Sequence, residues 1–447
     1  MNLEDLASQV VQLAGSGGAS GVECTVSEGE HFSAGIRMGE VESLKESGAR
    51  RAGVRVMVGK HTGSAYTSDL TAEGIRQMVS SALELAKITT EDPYAGLPEE
   101  SELGRISADL ELYSDSVPAL EAGTKIEWAK RAEAAALAAD PRIANSEGAS
   151  CDTHVGTSVF ANSLGFLGRY RTSSCSISAV PVAKQNGSME RDFWYSVSRS
   201  ADGLESPEDV GRRAAERALR RLGARKVATQ KVPVVFEARV ARTLLDNIFD
   251  AVSGDSVYRG ETFLDGKLGQ KIGSEKLTVI DDATIPKLFG SSPFDDEGVP
   301  SRRTVVIENG VLRSWLLNSY TARKLGMKTT GNASRGITGN AGVGHGNFYI
   351  PNGTVAPADI VKSVKSGLYV TELIGFGVNV VTGDYSRGAA GLWIENGEFT
   401  HPVSEITIAS TLQDMLANLE VIGSDLEFRA ALASPALLIS EMTISGQ

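Results

Sequence analysis

Apolar positions along the chain follow two rhythms that alternate in blocks. Residues 3–14 carry a helical stripe. So does TAEGIRQMVSSALELAKIT, where Ile75, Met78, Val79, Ala82, Leu85 and Ala86 share one face. Between them, VECTVSE, FSAGIRMG, VESLKESGARR and RAGVRVMVG read as four short strands divided by glycine and charged turns. An alanine-rich helix is expected from about Leu120 to Ala139, ending before Pro141. From Ile143 to Ser200, alternation of Ser, Thr, Tyr and Val predicts antiparallel strands around an Asn-Ser-Leu-Gly turn, followed by a helix from about Ser206 to Leu222. VPVVFE then reads as a buried strand, and Ala238 to Val252 as a helix with its stripe on Val240, Ala241, Leu244, Leu245, Ile248 and Val252. Two later segments, VVIENGVLRSWLL and LWIENGEFTHPVS, set Asn309-Gly310 and Asn396-Gly397 between apolar runs, the strongest short hairpin signal.

This pattern is α+β, with mixed α/β N-terminal units followed by a β-rich C-terminal domain. The boundaries it suggests are 1–105, 106–226 and 230–447, with GARKVATQK as the second linker. Residues 91–115, where eight acids face Arg105 alone and Pro93 and Pro98 interrupt, are expected to form a surface linker.

Composition narrows the partners. The 447 residues carry a net charge of −12, which argues against a general nucleic-acid binder, since such a protein needs a basic footprint. The start, MNLEDLASQV, has acids where an export signal has bases, and no run approaches the roughly 18 apolar residues of a membrane span. Cys24, Cys151 and Cys175 are odd in number and far apart, which suggests reduced thiols. A cytoplasmic protein without a membrane partner is expected.

Local motifs announce no chemistry. The glycine-rich GITGNAGVGHGNFYIPNG (336–353) leads into an apolar extended run, not into the Lys-Ser/Thr and helix of a phosphate loop. No histidine has a second at helical metal-ligand spacing, and G-x-S-x-G is absent. Cys151 and His154, three apart on a strand, point to opposite faces. Asp246 and Asp250 lie off the apolar stripe of their helix, where Arg242 makes a solvated ion pair the default. Asp295, Asp296 and Glu297 could hold a cation or trade protons, but a solvated turn countered by Arg302 and Arg303 is the favoured reading. The seven bases Arg212, Arg213, Arg217, Arg220, Arg221, Arg225 and Lys226 read as a solvated helix end, with docking to an acidic partner as the sharper option.

Three long segments together carry a resemblance. LKESGARRAGVRVMVGKHTGSAYTSDLT, DDEGVPSRRTVVIENGVLRSWLLNSYTARKLGMKTTGNASRG and IGSDLEFRAALASPALLISEMTISG are similar to the TldD/PmbA family, in its PmbA (TldE) branch. The resemblance touches all three units. It implies a metallopeptidase system acting on unfolded peptides, including microcin-type precursors and antitoxins. In the TldD branch an HExxxH helix and a late cysteine hold zinc, and PmbA-type chains are partner subunits. Here the HExxxH place falls on DNIFDA, putting Asp246, Asn247 and Ala251 where histidine, glutamate and histidine would stand, and no cysteine follows Cys175. The expectation is a chain without catalytic residues or bound metal, zinc residing in a TldD-type partner, and self-association as a homodimer. Asn332, Arg335 and Asn347 are the candidates for a peptide groove or subunit interface. Two rivals remain: an independent peptidase using Asp295 and Glu297 with a cation, and a peptide-binding module without catalysis.

Overall fold

A computed structural model describes residues 2–446. The chain opens with α1 (Leu3–Ser16), β1 (Gly21–Arg37), β2 (Glu40–Val58), β3 (His61–Thr67) and α2 (Ala72–Ile88). Next come α3 (Ala122–Ala138), β4 (Ile143–Asn162), β5 (Leu167–Gln185), β6 (Ser188–Arg191), β7 (Trp194–Ser198) and α4 (Pro207–Leu219). The four short strands expected before residue 60 are two very long ones. Gly29 and Gly48 sit inside them, and the real turn is at Met38-Gly39, both at positive φ. The Asn-Ser-Leu-Gly turn joins β4 to β5 as expected.

These strands make one antiparallel sheet in the order β3-β2-β1-β4-β5-β6, with β7 also on β5. The sheet runs across the boundary near residue 105, because β1 pairs with β4 from Glu23↔Asn162 to Ile36↔Ala149. One face is covered by helices. α1 and α2 bury Val10, Ile75 and Val79 against Val22, Cys24 and Val54, while α3 and α4 bury Ala129, Ala132 and Val210 against Cys151 and Ile177. All three cysteines are free and buried. Cys151 is buried and His154 exposed, as their spacing on a strand requires.

The rest of the chain begins with β8 (Gln230–Phe236), α5 (Ala238–Val252), α6 (Gly254–Arg259), β9 (Val279–Asp282), β10 (Arg303–Glu308) and β11 (Val311–Leu312). It continues through α7 (Ser319–Leu325), β12 (Ala333–Ser334), β13 (Gly342–Val343), β14 (Asn347–Tyr349) and α8 (Pro357–Ser363). It ends with β15 (Ser366–Ile374), β16 (Asp384–Glu395), β17 (Glu398–Thr411), α9 (Leu412–Ala417), β18 (Leu419–Ile422), β19 (Leu432–Ala433) and β20 (Leu437–Ser445). Strands β17-β16-β15-β8-β20 pair in turn, and β17 also pairs with β20, so this sheet closes on itself. A second sheet runs β11-β10-β9-β14-β19. The apolar stripe of α5 packs with residues of both, including Val234, Leu368, Val279 and Phe348. Both Asn-Gly pairs form hairpin turns with positive φ at each residue. The fold is thus α+β, and its last two hundred residues are rich in strand. No helix among the described residues is long and apolar enough to cross a membrane.

Of the two surface expectations, residues 91–115 do form an irregular, largely exposed connection. The solvated basic helix end fails, because its charges meet partners distant in sequence. Residues 91–115 are irregular but tied down. The Arg323 guanidinium donates to the carbonyls of Tyr94, Gly96 and Leu97, and Gly104 N–H donates to the Gly298 carbonyl. Leu110 and Leu112 are buried. The basic helix end is not simply solvated. Arg217 is buried, donating to Glu237 at 2.9 Å with Asp192 also within 3.3 Å, and Arg221 reaches Glu372 at 2.6 Å.

Candidate functional site

Helix α5 carries the segment that resembles a zinc-binding helix. Asp246 and Asp250 stand on its exposed side, and partial burial raises both carboxyls. His345 comes close enough to oppose that rise, its ring edge-on to Phe249 at 4.8 Å between centroids. Asn247 spends its amide on the Thr243 carbonyl at 2.8 Å, one turn back, and Ala251 is fully buried with no donor atom. Among the described residues, no group of three or more His, Cys, Asp or Glu is placed to hold a metal ion. The residues present therefore do not match a two-histidine, one-thiolate zinc set. His345 escaped the sequence reading because it is 99 positions from Asp246, so no local spacing links them.

Beside α5 lies a cleft of ≈ 340 Å³ whose lining includes Asp281, Asp295, Asp296, Asn332 and His345. The expectation of a solvated acidic turn is overturned here, since Asp295 and Glu297 are buried. The turn folds inward because the backbone supplies donors. Asp295 accepts from the N–H groups of Glu297, Val299 and Ala333 at 2.9–3.0 Å, and Glu297 accepts from Ser319 N–H at 2.9 Å. Arg302 and Arg303 are not their counter-charges. Arg302 reaches the Thr329 carbonyl, and Arg303 approaches Asp282 at 3.9 Å. Asp281, likewise buried, accepts from Asn332 and from Gly346 N–H, yet burial still pushes it up to about 6.

The three groove candidates have different fates. Asn332 lines the cleft, but its amide holds Asp281 at 2.7 Å and the Gly344 carbonyl at 3.1 Å. Asn347 is fully buried, accepting from Gly290 N–H and donating to the Asp282 carbonyl and Ser291 hydroxyl. Arg335 keeps 3% of its side chain exposed, because it spans to Glu23 on β1 at 2.8 Å and to the Asp296 carbonyl at 2.9 Å. Asn332 and Asn347 thus fix the loop that follows β12, and Arg335 anchors that loop to the first sheet. The glycine-rich segment lets backbone approach backbone: a Cβ on Gly346 would lie 2.6 Å from the Ala283 side chain.

Asp295 and Glu297 form a buried carboxyl pair. Burial, and for Asp295 the repulsion of Glu297, raises the pair, Asp295 to about 8. Three backbone donors to Asp295 oppose that rise without cancelling it. Carboxyls raised in the folded state contribute stability that is complete below the unfolded value of about 4 and is lost as pH rises through the folded one. Urea midpoints are therefore expected to fall between about pH 4 and about pH 8, and Glu297→Gln to flatten that fall. A Glu297→Gln protein as pH-sensitive as the parent would contradict the pairing.

Comparison with known proteins agrees with this architecture. The PmbA/TldA metallopeptidase domain 1 matches residues 22–86, the central domain 115–222 and the C-terminal domain 229–446. Metalloprotease PmbA of Escherichia coli O157:H7 is 42% identical over 445 residues, covering 100% of this chain and 96% of its own. The Metalloprotease PmbA homolog of Haemophilus influenzae is 38% identical over 444 residues, covering 99% and 96%. Among solved structures, a putative modulator of DNA gyrase from Bacteroides thetaiotaomicron superposes with a TM-score of 0.93 at 26% identity, covering 99% of both chains. TldE from Thermococcus kodakarensis shares the fold, with a TM-score of 0.88 at 21% identity over 99% of this chain and 100% of its own. Matched along almost its whole length, the chain belongs to the PmbA/TldD metallopeptidase family, in its PmbA branch.

Proposed function

We propose that this chain is the non-catalytic subunit of a cytoplasmic TldD/TldE-type metallopeptidase that degrades or processes unfolded peptides. Zinc and the general base reside in a TldD-type partner, and the chain pairs with itself when that partner is absent. Microcin-type precursors and antitoxins are the substrate class that the family suggests. The observation that carries the reading is the state of α5: Asn247 is hydrogen-bonded to its own helix and cannot act as a base, and Ala251 has no ligand atom. The three cysteines are buried in β1, β4 and β5 of the first sheet, and α5 packs on the strands of the other two.

The rival peptidase built on Asp295 and Glu297 is disfavoured, because backbone N–H groups occupy those carboxylates where a cation or water would bind. A peptide-binding module without a catalytic partner remains the second alternative. The purified chain with one equivalent of zinc is expected to leave an unstructured peptide uncut. Added to a TldD-type metallopeptidase, it is expected to raise chelator-sensitive turnover at least tenfold. Chelator-sensitive cleavage by the chain alone would overturn the proposal.

A further inference from the structure

Two arginines near the start of α5 meet no acid. The basic cluster around Trp194 is otherwise paired residue by residue. Arg213 and Arg429 meet Glu205 at 3.1 and 2.6 Å, Arg217 and Arg220 meet Glu237, and Arg221 meets Glu190 and Glu372. Among the described residues, no carboxylate comes within 4.0 Å of the Arg239 or Arg242 guanidinium. Arg242 stays beyond that distance even from Asp246, the partner its spacing suggests, and only eases the rise of that carboxyl. Arg239 gives one N–H to the Phe193 carbonyl at 3.1 Å and lies over the Phe193 ring at 4.3 Å, with Trp194 at 5.6 Å. Stacking on a ring favours the charge but engages no N–H donor. Burial, with Arg217 nearby, draws Arg239 down to about 10, so it is still charged at neutral pH.

Both arginines line one cavity of ≈ 230 Å³, between β7 of the first sheet and α5, β15 and β19. Three residues apart on a helix, they are neighbours on its surface. The cavity is smaller than the roughly 300–1,000 Å³ that holds a drug-sized molecule, so a ligand there is about as large as one amino-acid residue. Trp194, Tyr195 and Tyr369 give it aromatic walls, and Leu432 and Ala433 an apolar patch.

Three acids also line it, and none serves these arginines. Glu237 is engaged by Arg217 and Arg220, and Glu427 by Arg429. Asp425 accepts the Ala436 N–H at 2.9 Å. What the cavity lacks is an acceptor for two planar forks, each able to give a carboxylate a pair of parallel N–H bonds. The same three acids oppose a dianion such as phosphate, and so favour a singly charged ligand.

We propose that this cavity binds a small organic monocarboxylate with an apolar or aromatic body, Arg239 and Arg242 taking the carboxylate and Trp194, Tyr195 and Tyr369 the body. A free carboxylate and the C-terminal residue of a peptide present this same chemistry. Binding is read on this chain alone, so the inference stands or falls apart from the subunit reading.

The test is isothermal titration of the full chain at neutral pH with N-acetylphenylalanine, its amide serving as the uncharged control. The acid is expected to bind at least about tenfold tighter than the amide, and Arg239→Gln or Arg242→Gln to erase that preference. Arg239→Lys, which keeps the charge and loses the fork, should fall between. A second readout needs no arginine variant. The acid, and not the amide, should change the tryptophan fluorescence of the parent chain, and Trp194→Phe should remove that change. The free acid of N-acetyl-Ala-Ala-Phe distinguishes the sources: tighter binding than the single residue marks a peptide end, and equal or weaker binding a free carboxylate. Equal binding of acid and amide, no binding of the acid at millimolar concentration, or an acid preference that survives both Arg239→Gln and Arg242→Gln would each overturn the inference. Inorganic phosphate that displaces the acid at equal concentration would overturn the choice of a carboxylate.

Discussion

Replacing Glu23 by alanine is expected to destabilise the protein by about 3–5 kcal/mol, the cost of removing one partner from a buried ion pair. Glu23 is 1% exposed on β1 and holds two guanidinium groups, Arg55 at 2.6 Å and Arg335 at 2.8 Å. Without it, two buried cations remain. Arg55 keeps the Asn340 side chain and Arg335 keeps the Asp296 carbonyl, both neutral acceptors. Burial alone would raise the Glu23 carboxyl, but the two arginines outweigh it and hold it below the usual range. A depressed carboxyl contributes stability above its unfolded value of about 4.3, and loses it as pH falls through the lower folded value. Urea unfolding at neutral pH should show the full deficit in Glu23→Ala, and the gap to the parent should narrow in acid. A deficit under about 1 kcal/mol at neutral pH would mean that solvent reaches the cluster and that the pair behaves like a surface one. Arg335→Ala is expected to cost less, since Arg55 still neutralises Glu23.

Gly53→Val is the second large effect. A Cβ at position 53 would lie 1.7 Å from the Ile337 carbonyl oxygen, closer than any contact allows. The loop 334–340 rests on β2 here, with the Thr338 hydroxyl near the Val54 and Ala65 carbonyls and Asn340 receiving the Arg55 N–H. Valine forces backbone to move at the contact, and overpacking of this kind costs about 3 kcal/mol. The loop should lift from the sheet, carrying Arg335 away from Glu23. The expected signs are a lower urea midpoint and new limited-proteolysis cuts between residues 334 and 343. Unchanged stability together with unchanged cutting would show that the loop does not depend on this contact.

Both predictions concern the same joint, and it is the part of the molecule that the sequence conceals. The arginine marked as a groove candidate, Arg335, is 312 positions from Glu23. Nothing within a helical or strand period connects them, so an exposed Arg in a glycine-rich loop and a buried Arg in an ion cluster look alike in sequence. The acidic turn misled in the same way. Asp295, Asp296 and Glu297 have the composition of a solvated loop, and only the convergence of backbone N–H groups from Val299, Ala333 and Ser319 makes their burial affordable. Gly29 and Gly48 read as turn punctuation but lie within strands, where long-range pairing overrides local preference.

What the sequence determined by itself is whatever short-range physics enforces. Helix α5 appears at Ala238–Val252 because a 3.6-residue stripe of Val, Leu and Ile must be buried, and two Asn-Gly pairs turn hairpins because those residues accept positive φ. The absence of base and ligand atoms at Asn247 and Ala251 is equally fixed by residue identity. The tertiary structure alone decided which charges are buried, how the first two hundred residues merge into one sheet, and which arginines on α5 are left without an acid. Each of those outcomes depends on contacts between residues tens to hundreds of positions apart, and side-chain period carries no record of them.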